Sequence, residues 1–325
     1  MRILLVNVDS RWNMAIRRMY AYYRKKGHDV KMVDLGLSGY PHKRTELIDG
    51  KEYERVFVSN IFDINKERVT VINCDNVSYG GIGSKNPHLR LLPEIEQTEP
   101  FYFPDEDTSY GFITRGCIRK CWFCKVPKYE GELKTYNTIE SIVKHKKVKF
   151  LDNNILAYPD HMKVFQWLLD RPEIRCEFNQ GLDFRLVNDE NLDALSRLNY
   201  MGEYIFAFDE PKYRPLLEKK LALIKKYIPK PWKLKFYIYY HPSMEVSQLI
   251  ERVEWCRRRE CLPYVMRDIA CWECEDEEFL IDYAAYCNQP GFFKSMTFEQ
   301  FLFKRTKNEK RRRTSLQTYK KAGGL

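Results

Sequence analysis

No apolar run in the 325-residue chain approaches the ~20 residues that a membrane-crossing helix needs. No membrane partner is therefore expected. The opening apolar stretch, Ile3 to Val8, is too short and too soon broken by Asp9 to be a signal peptide. A cytoplasmic protein is expected. No G-x-G-x-x-G phosphate cradle occurs, so the common dinucleotide-binding signature is missing. Net charge is scarce outside one place. Nine Lys/Arg and one Glu between Lys304 and Lys321 hold eight of the ten net positive charges. The rest of the chain is nearly balanced, so basic character belongs to a tail and not to a body. Disorder is excluded too, by 44% hydrophobic residues with 22 Tyr and 19 Phe.

Ten cysteines are present. In a cytoplasmic chain they read as metal ligands or reduced core residues before disulfides. Three of them, Cys117, Cys121 and Cys124, are spaced C-x3-C-x2-C after a strand-like stretch at 110–113, with Gly116 ahead and Gly131 behind. Three thiolates on one loop can hold three corners of an iron–sulfur cube and leave one iron open. A structural zinc would take a fourth ligand, and no Cys or His lies within a few residues to supply it. Buried inert thiols are the remaining reading, which a glycine-flanked cluster of three fits poorly.

With aromatic Phe123 before the last cysteine, the loop resembles the signature of the radical S-adenosylmethionine (SAM) superfamily. The resemblance covers residues 108–290. It implies that Cys117, Cys121 and Cys124 bind a [4Fe–4S] cluster whose fourth iron is chelated by SAM, with Phe123 beside the adenine. It also implies reductive cleavage to a 5′-deoxyadenosyl radical that abstracts hydrogen from a substrate, and an electron donor such as flavodoxin or ferredoxin.

Residues 1–105 read as a small doubly wound α/β domain: strands over 2–8, 30–35, 54–59 and 69–72, and a helix over 14–26. Its ligands would sit at strand carboxyl ends, at Asn7 to Ser10 and at Ser59-Asn60. The arrangement resembles the cobalamin-binding domain that precedes many radical SAM domains. The D-x-H-x-x-G motif that would supply an axial His is missing, since Asp9-Ser10-Arg11 carries none. Cobalamin is accordingly disfavoured as a cofactor. Residues 93–107, rich in Pro and Glu, read as a linker.

Residues 106–290 alternate strand and helix six times, counting the strand before the cysteine loop. The count suits a (β/α)6 partial TIM barrel, which is the architecture the resemblance implies. Chemistry in such folds gathers at strand carboxyl ends. Those ends nominate Asp152, Asn153, Asn154, Asn179, Gln180 and Arg185 as SAM-binding groups, Arg185 through a two-pronged grip on a carboxylate. They also nominate Asp209, Glu210, Tyr239, Tyr240, His241, Arg267 and Asp268, with Asp209 and His241 as catalytic candidates. Asp, Asn and a His before Pro242 are equally ordinary turn residues. Cys256, Cys261, Cys271 and Cys274 do not form one site, because about nine extended residues hold Cys261 and Cys271 ~30 Å apart. Cys271 and Cys274 remain at the catalytic rim as hydrogen donors, ligands of an auxiliary cluster, or thiols without a role. Cys74, Cys176 and Cys287 read as core or incidental.

Residues 291–325 form a basic C-terminal extension, able to track a phosphate backbone or to be a solvated helix face. The expected function is a radical SAM enzyme acting on a nucleic acid or nucleobase. Alternatives are a cobalamin-dependent methyltransferase or small-molecule tailoring enzyme, and, from another class, a metal-stabilised nucleic-acid-binding protein without catalysis.

Overall fold

The computed structural model describes residues 1–37 and 45–324. The chain folds as two compact units. Unit 1 comprises Met1–Gly111, Arg119–Glu132 and Glu140–His145; unit 2 comprises Phe112–Ile118, Leu133–Ile139 and Lys146–Leu325. The sequence suggests boundaries near residues 105 and 290, whereas the chain passes between the units several times before residue 146 and unit 2 runs on past residue 290.

The centre of unit 1 is β1 (Arg2–Asn7), followed by α1 (Met14–Lys25), β2 (Asp29–Asp34), β3 (Glu46–Asp49), β4 (Arg55–Ser59), β5 (Val69–Ile72) and β6 (Val77–Gly80). The short α2 (Pro93–Glu96), β7 (Thr108–Gly111) and α3 (Val126–Tyr129) complete it, and the one-turn α4 (Ile139–Ile142) is divided between the two units' ranges. Four strands pair in parallel in the order β2-β1-β4-β6. The Ile-Leu-Leu-Val run of β1 is apolar on both faces because both are covered. Ile3 and Leu5 pack with Ile16, Met19, Tyr23, Val30 and Ile95; Leu4 and Val6 pack with Val8, Val56, Val58 and Val69. Each such burial is worth about 1.5–3 kcal/mol.

Two expectations are corrected here. The strand over 69–72 does not join the main sheet but pairs with β3. Side chains of that pair, not helices, pack on the second face, so the doubly wound reading holds for one face only. The β3 strand is largely exposed and shows no apolar alternation, which is why its sequence does not announce it. The expected linker at 93–107 is packed structure. Ile95 is buried, and Glu106 forms a two-pronged ion pair with Arg17 of α1 at 2.6 and 2.7 Å.

Unit 2 opens with β8 (Thr114–Arg115), paired antiparallel with β9 (Lys134–Thr135). Five strand–helix repeats follow: β10 (Lys147–Phe150) and α5 (His161–Leu169), β11 (Arg175–Phe178) and α6 (Asp189–Arg197), β12 (Tyr204–Ala207) and α7 (Arg214–Tyr227), β13 (Leu234–Tyr240) and α8 (Val246–Arg258), then β14 (Leu262–Arg267) and α9 (Glu277–Cys287). The sixth strand of the sequence count is β7, third in the sheet order β11-β10-β7. All pairings among β10 to β14 are parallel, and the bridges Cys176↔Tyr200 and Leu182↔Phe206 carry the run from β11 towards β12. Among the described residues the strands do not close into a barrel. Helix faces bury residues at helical spacing, Leu217, Leu221 and Ile224 on α7 for example. The extension after residue 290 contains three helices among the described residues: α10 (Pro290–Ser295), α11 (Phe298–Arg305) and α12 (Glu309–Lys321). No helix among the described residues is long and apolar enough to cross a membrane.

Candidate functional site

The cysteine-bearing excursion leaves the fold at β8 and returns at β9. Gly116, at φ +81°, turns the chain immediately before Cys117. Cys117, Cys121 and Cys124 are all half-buried. Cys124 N–H donates to the Cys121 carbonyl at 3.0 Å, a tight turn between the last two. Trp122 is 58% exposed and stands edge-on to Phe123, with ring centroids 5.5 Å apart. Among the described residues no group of three or more His, Cys, Asp and Glu side chains is arranged to hold a metal ion.

What anchors the stem is Asp152, just past β10. Its carboxylate accepts from Thr114 N–H at 2.5 Å, from the Thr114 hydroxyl at 2.8 Å and from Ile113 N–H at 3.2 Å. Burial pushes the Asp152 carboxyl up to about 6, against the pull of these hydrogen bonds. Asp152 thus serves the backbone rather than waiting for a ligand. Its neighbours differ. Asn153 donates from Nδ2 to the Gly116 carbonyl at 3.4 Å, and Asn154 is 3% exposed with its Oδ1 buried and without a hydrogen-bond partner. A buried amide oxygen left bare costs ~1–3 kcal/mol, so Asn154 is an acceptor held ready for a donor.

At the end of β11, Asn179 N–H donates to the Phe150 carbonyl and the Asn179 carbonyl accepts from the Tyr237 hydroxyl, at 3.0 and 2.9 Å. Gln180 is exposed. Arg185 gives its fork to Asp183 (Nε–Oδ1 2.6 Å, Nη2–Oδ2 3.1 Å) and lies 5.0 Å from the Tyr213 ring centre. Its expected carboxylate partner is therefore found within the chain.

A second polar group gathers beyond β12, β13 and β14. Asp209 accepts from Tyr239 N–H at 3.0 Å, and burial pushes its carboxyl up to about 6. Tyr239 donates its hydroxyl to Asp268 at 2.7 Å. Arg252 of α8, 1% exposed, donates through Nη1 to the carbonyls of Phe208, Asp209 and Tyr239, while its Nη2 has no partner. Burial lowers its guanidinium to about 10. His241 accepts from Ser243 N–H at 3.0 Å and stands 2.8 Å from the Ser243 hydroxyl, capping the turn at Pro242. The guanidinium of Arg267 stacks on Trp272 at 4.3 Å.

Cys271 is fully buried beside the Tyr240 carbonyl, 3.6 Å away, and burial drives its thiol up to about 12. Cys274 is half-buried, its Sγ 3.5 Å from the Cys271 carbonyl, and its thiol is also raised by burial. Both are thiols rather than thiolates at neutral pH. Cys256 and Cys261 lie together before β14, joined by a 2.9 Å backbone hydrogen bond.

Asp268 was legible as a strand-end candidate, whereas sequence reasoning missed Thr114 and Arg252 as site residues. Thr114 looks like an ordinary turn residue. Arg252 did carry a signal, as a cation inside the buried stripe of Leu249, Ile250, Val253 and Cys256.

In unit 1, Asn13 donates to Asn7 Oδ1 and to the Ser59 hydroxyl, at 3.1 and 2.9 Å. Asp9 accepts from Ile61 and Phe62 N–H and from Asn65. The Asn60 carbonyl presses against Gly81, where a Cβ would stand 2.2 Å away, so the turn at φ +94° admits only glycine. Beside this network a cavity of about 130 Å³ is lined by Asn7, Arg11, Asn13, Arg17, Asp34 and Phe103. No protein-family model matches the chain, and no curated protein matches it.

Proposed function

We propose that the chain is an iron–sulfur enzyme of the radical SAM type, with unit 2 as an open partial barrel and Cys117, Cys121 and Cys124 as cluster ligands. Its main support is the C-x3-C-x2-C spacing on an excursion whose stem, Thr114 to Gly116, is tied to the carboxyl end of β10 by Asp152 and Asn153. The donor chemistry suits a [4Fe–4S] cluster: three half-buried thiols within eight residues, with the fourth position left to a small molecule. When bound, such a cluster supplies the electron that splits the SAM sulfonium.

The chain's own residues then have separable tasks. Asp152 fixes the stem of the loop. Asn154, whose buried Oδ1 has no hydrogen-bond partner, would accept from the ammonium of the methionyl group. Asp209 holds or releases a proton near neutral pH at its buried carboxyl. Cys271 and Cys274 offer S–H bonds, not thiolates.

Anaerobic reconstitution with iron and sulfide, followed by dithionite and SAM, tests this reading. The expected result is an absorption shoulder and a reduced-state paramagnetic signal from a [4Fe–4S] cluster, with 5′-deoxyadenosine formed. Cys121→Ala is expected to abolish all three. A colourless protein that takes up zinc instead would end the proposal.

A further inference from the structure

We infer that α11 and α12 form a docking surface for the phosphate backbone of a nucleic acid. The segment is not a frayed tail. Asp282 of α9, with no exposure, accepts from Arg305 Nε at 2.7 Å, from Arg311 Nε and Nη2 at 2.9 and 2.7 Å, and from the Ser315 hydroxyl at 3.2 Å. Tyr319 is buried against Tyr283 and Phe298, with ring centroids 5.7 and 5.1 Å apart. Thr318 donates to Asp276 at 3.3 Å. One helix face is thereby committed to the protein.

The opposite face is committed to nothing. Lys310, Arg313, Lys320 and Lys321 follow one another on the side away from Arg311, Ser315 and Tyr319, spanning ~16 Å of helix. These four, with Lys304 and Lys307, are exposed, and none has a carboxylate partner among the described residues. Glu309 is the sole acid between 304 and 321. Like charges pinned on one folded face repel each other and add nothing to the fold, so they suit an external polyanion.

The chemistry favours nucleic acid over a lipid surface. An interfacial helix needs an outward apolar face, whereas α12 interleaves its outward cations with Thr314 and Gln317 and turns Tyr319 inward. Phe303 is 59% exposed at the edge of this surface, with the Arg312 guanidinium 4.9 Å from its ring centre. An exposed ring among cations is the platform on which an unpaired base stacks. This inference does not depend on the cluster chemistry above.

Fluorescence anisotropy of the full chain with a labelled single-stranded RNA, its duplex, and the matching DNA, titrated with KCl, tests it. Affinity for at least one probe is expected to fall log-linearly with salt between roughly 50 and 200 mM. The variant K310Q/R313Q/K320Q/K321Q should lose about tenfold or more in affinity, with a slope shallower by about 3 for single strands. Glutamine keeps the helix and breaks no contact of these residues. The charge-preserving K310R/K320R/K321R should bind like the parent. Removing exposed cations elsewhere, in R197Q/K219Q/K230Q, should leave affinity unchanged. Absence of low-salt binding, equal loss in the control variant, or capture by phosphatidylserine vesicles with nucleic acid ignored would each overturn the inference.

Discussion

Two buried carboxylates differ in what they do, and substitution separates them. Asp152 satisfies two backbone N–H groups and one hydroxyl, so Asp152→Ala leaves buried donors bare and should cost about 3 kcal/mol. Chemical denaturation measures that cost, and iron content after reconstitution should fall with it, because the stem carries Cys117. Asp209 offers a cleaner test of charge, since Asp209→Asn keeps the Oδ1 that accepts from Tyr239. Its folded carboxyl sits at about 6 against 3.8 unfolded. The folded state therefore holds the proton more tightly, and that stabilisation is present below pH ~4 and lost as pH rises through 6. The stability of the parent relative to Asp209→Asn should fall by about 2 kcal/mol between pH 4 and 7. A flat difference across that window would show that the site is wetter than its burial suggests. At this scale the sequence is a partial guide. Parallel strands deliver Asp152, Asn154 and Asp209 to loop positions, so their location could be read. Their hydrogen-bond partners could not, because an Asp that clamps backbone and an Asp that awaits a ligand have the same neighbours in sequence. Arg185 shows this: the residue that satisfies its fork is two positions away.

Among the elements, α12 turns on a single residue of α9. Removing the carboxylate in Asp282→Ala leaves Arg305, Arg311 and Ser315 without their shared acceptor. Losing one partner of a buried ion pair costs about 3–5 kcal/mol, enough to undock a short helix whose other buried anchor is Tyr319. Limited trypsin digestion should then cut between 304 and 321 well before the rest of unit 2, while the parent resists. Equal rates would mean that the aromatic contacts of Tyr319 hold α12 alone. Periodicity made the strand–helix repeats from β10 to α9 legible, since each helix buries one face and each strand a short apolar run. It failed at β3, where exposure erases the alternation, and at residues 93–107, where Pro and Glu suggest a linker although Ile95 and Glu106 anchor the stretch to α1.

For the molecule as a whole, the alternation of strands and helices made the mixed α/β class readable, but not the division into units. The chain contributes three separate stretches to each unit, and no change of composition marks the crossings. The charge distribution, in contrast, was complete in the sequence, and the structure adds that its carriers are helical and held to α9 through Asp282 and Tyr319. Eight net charges gathered between Lys304 and Lys321, against a nearly neutral remainder, give the protein a permanent electric asymmetry. A polyanion at a distance would feel that asymmetry as a torque before any surface is touched, and would meet the protein already turned. For the polyanion proposed above, the placement of the cations would thus govern how often an encounter is productive as well as how long it lasts.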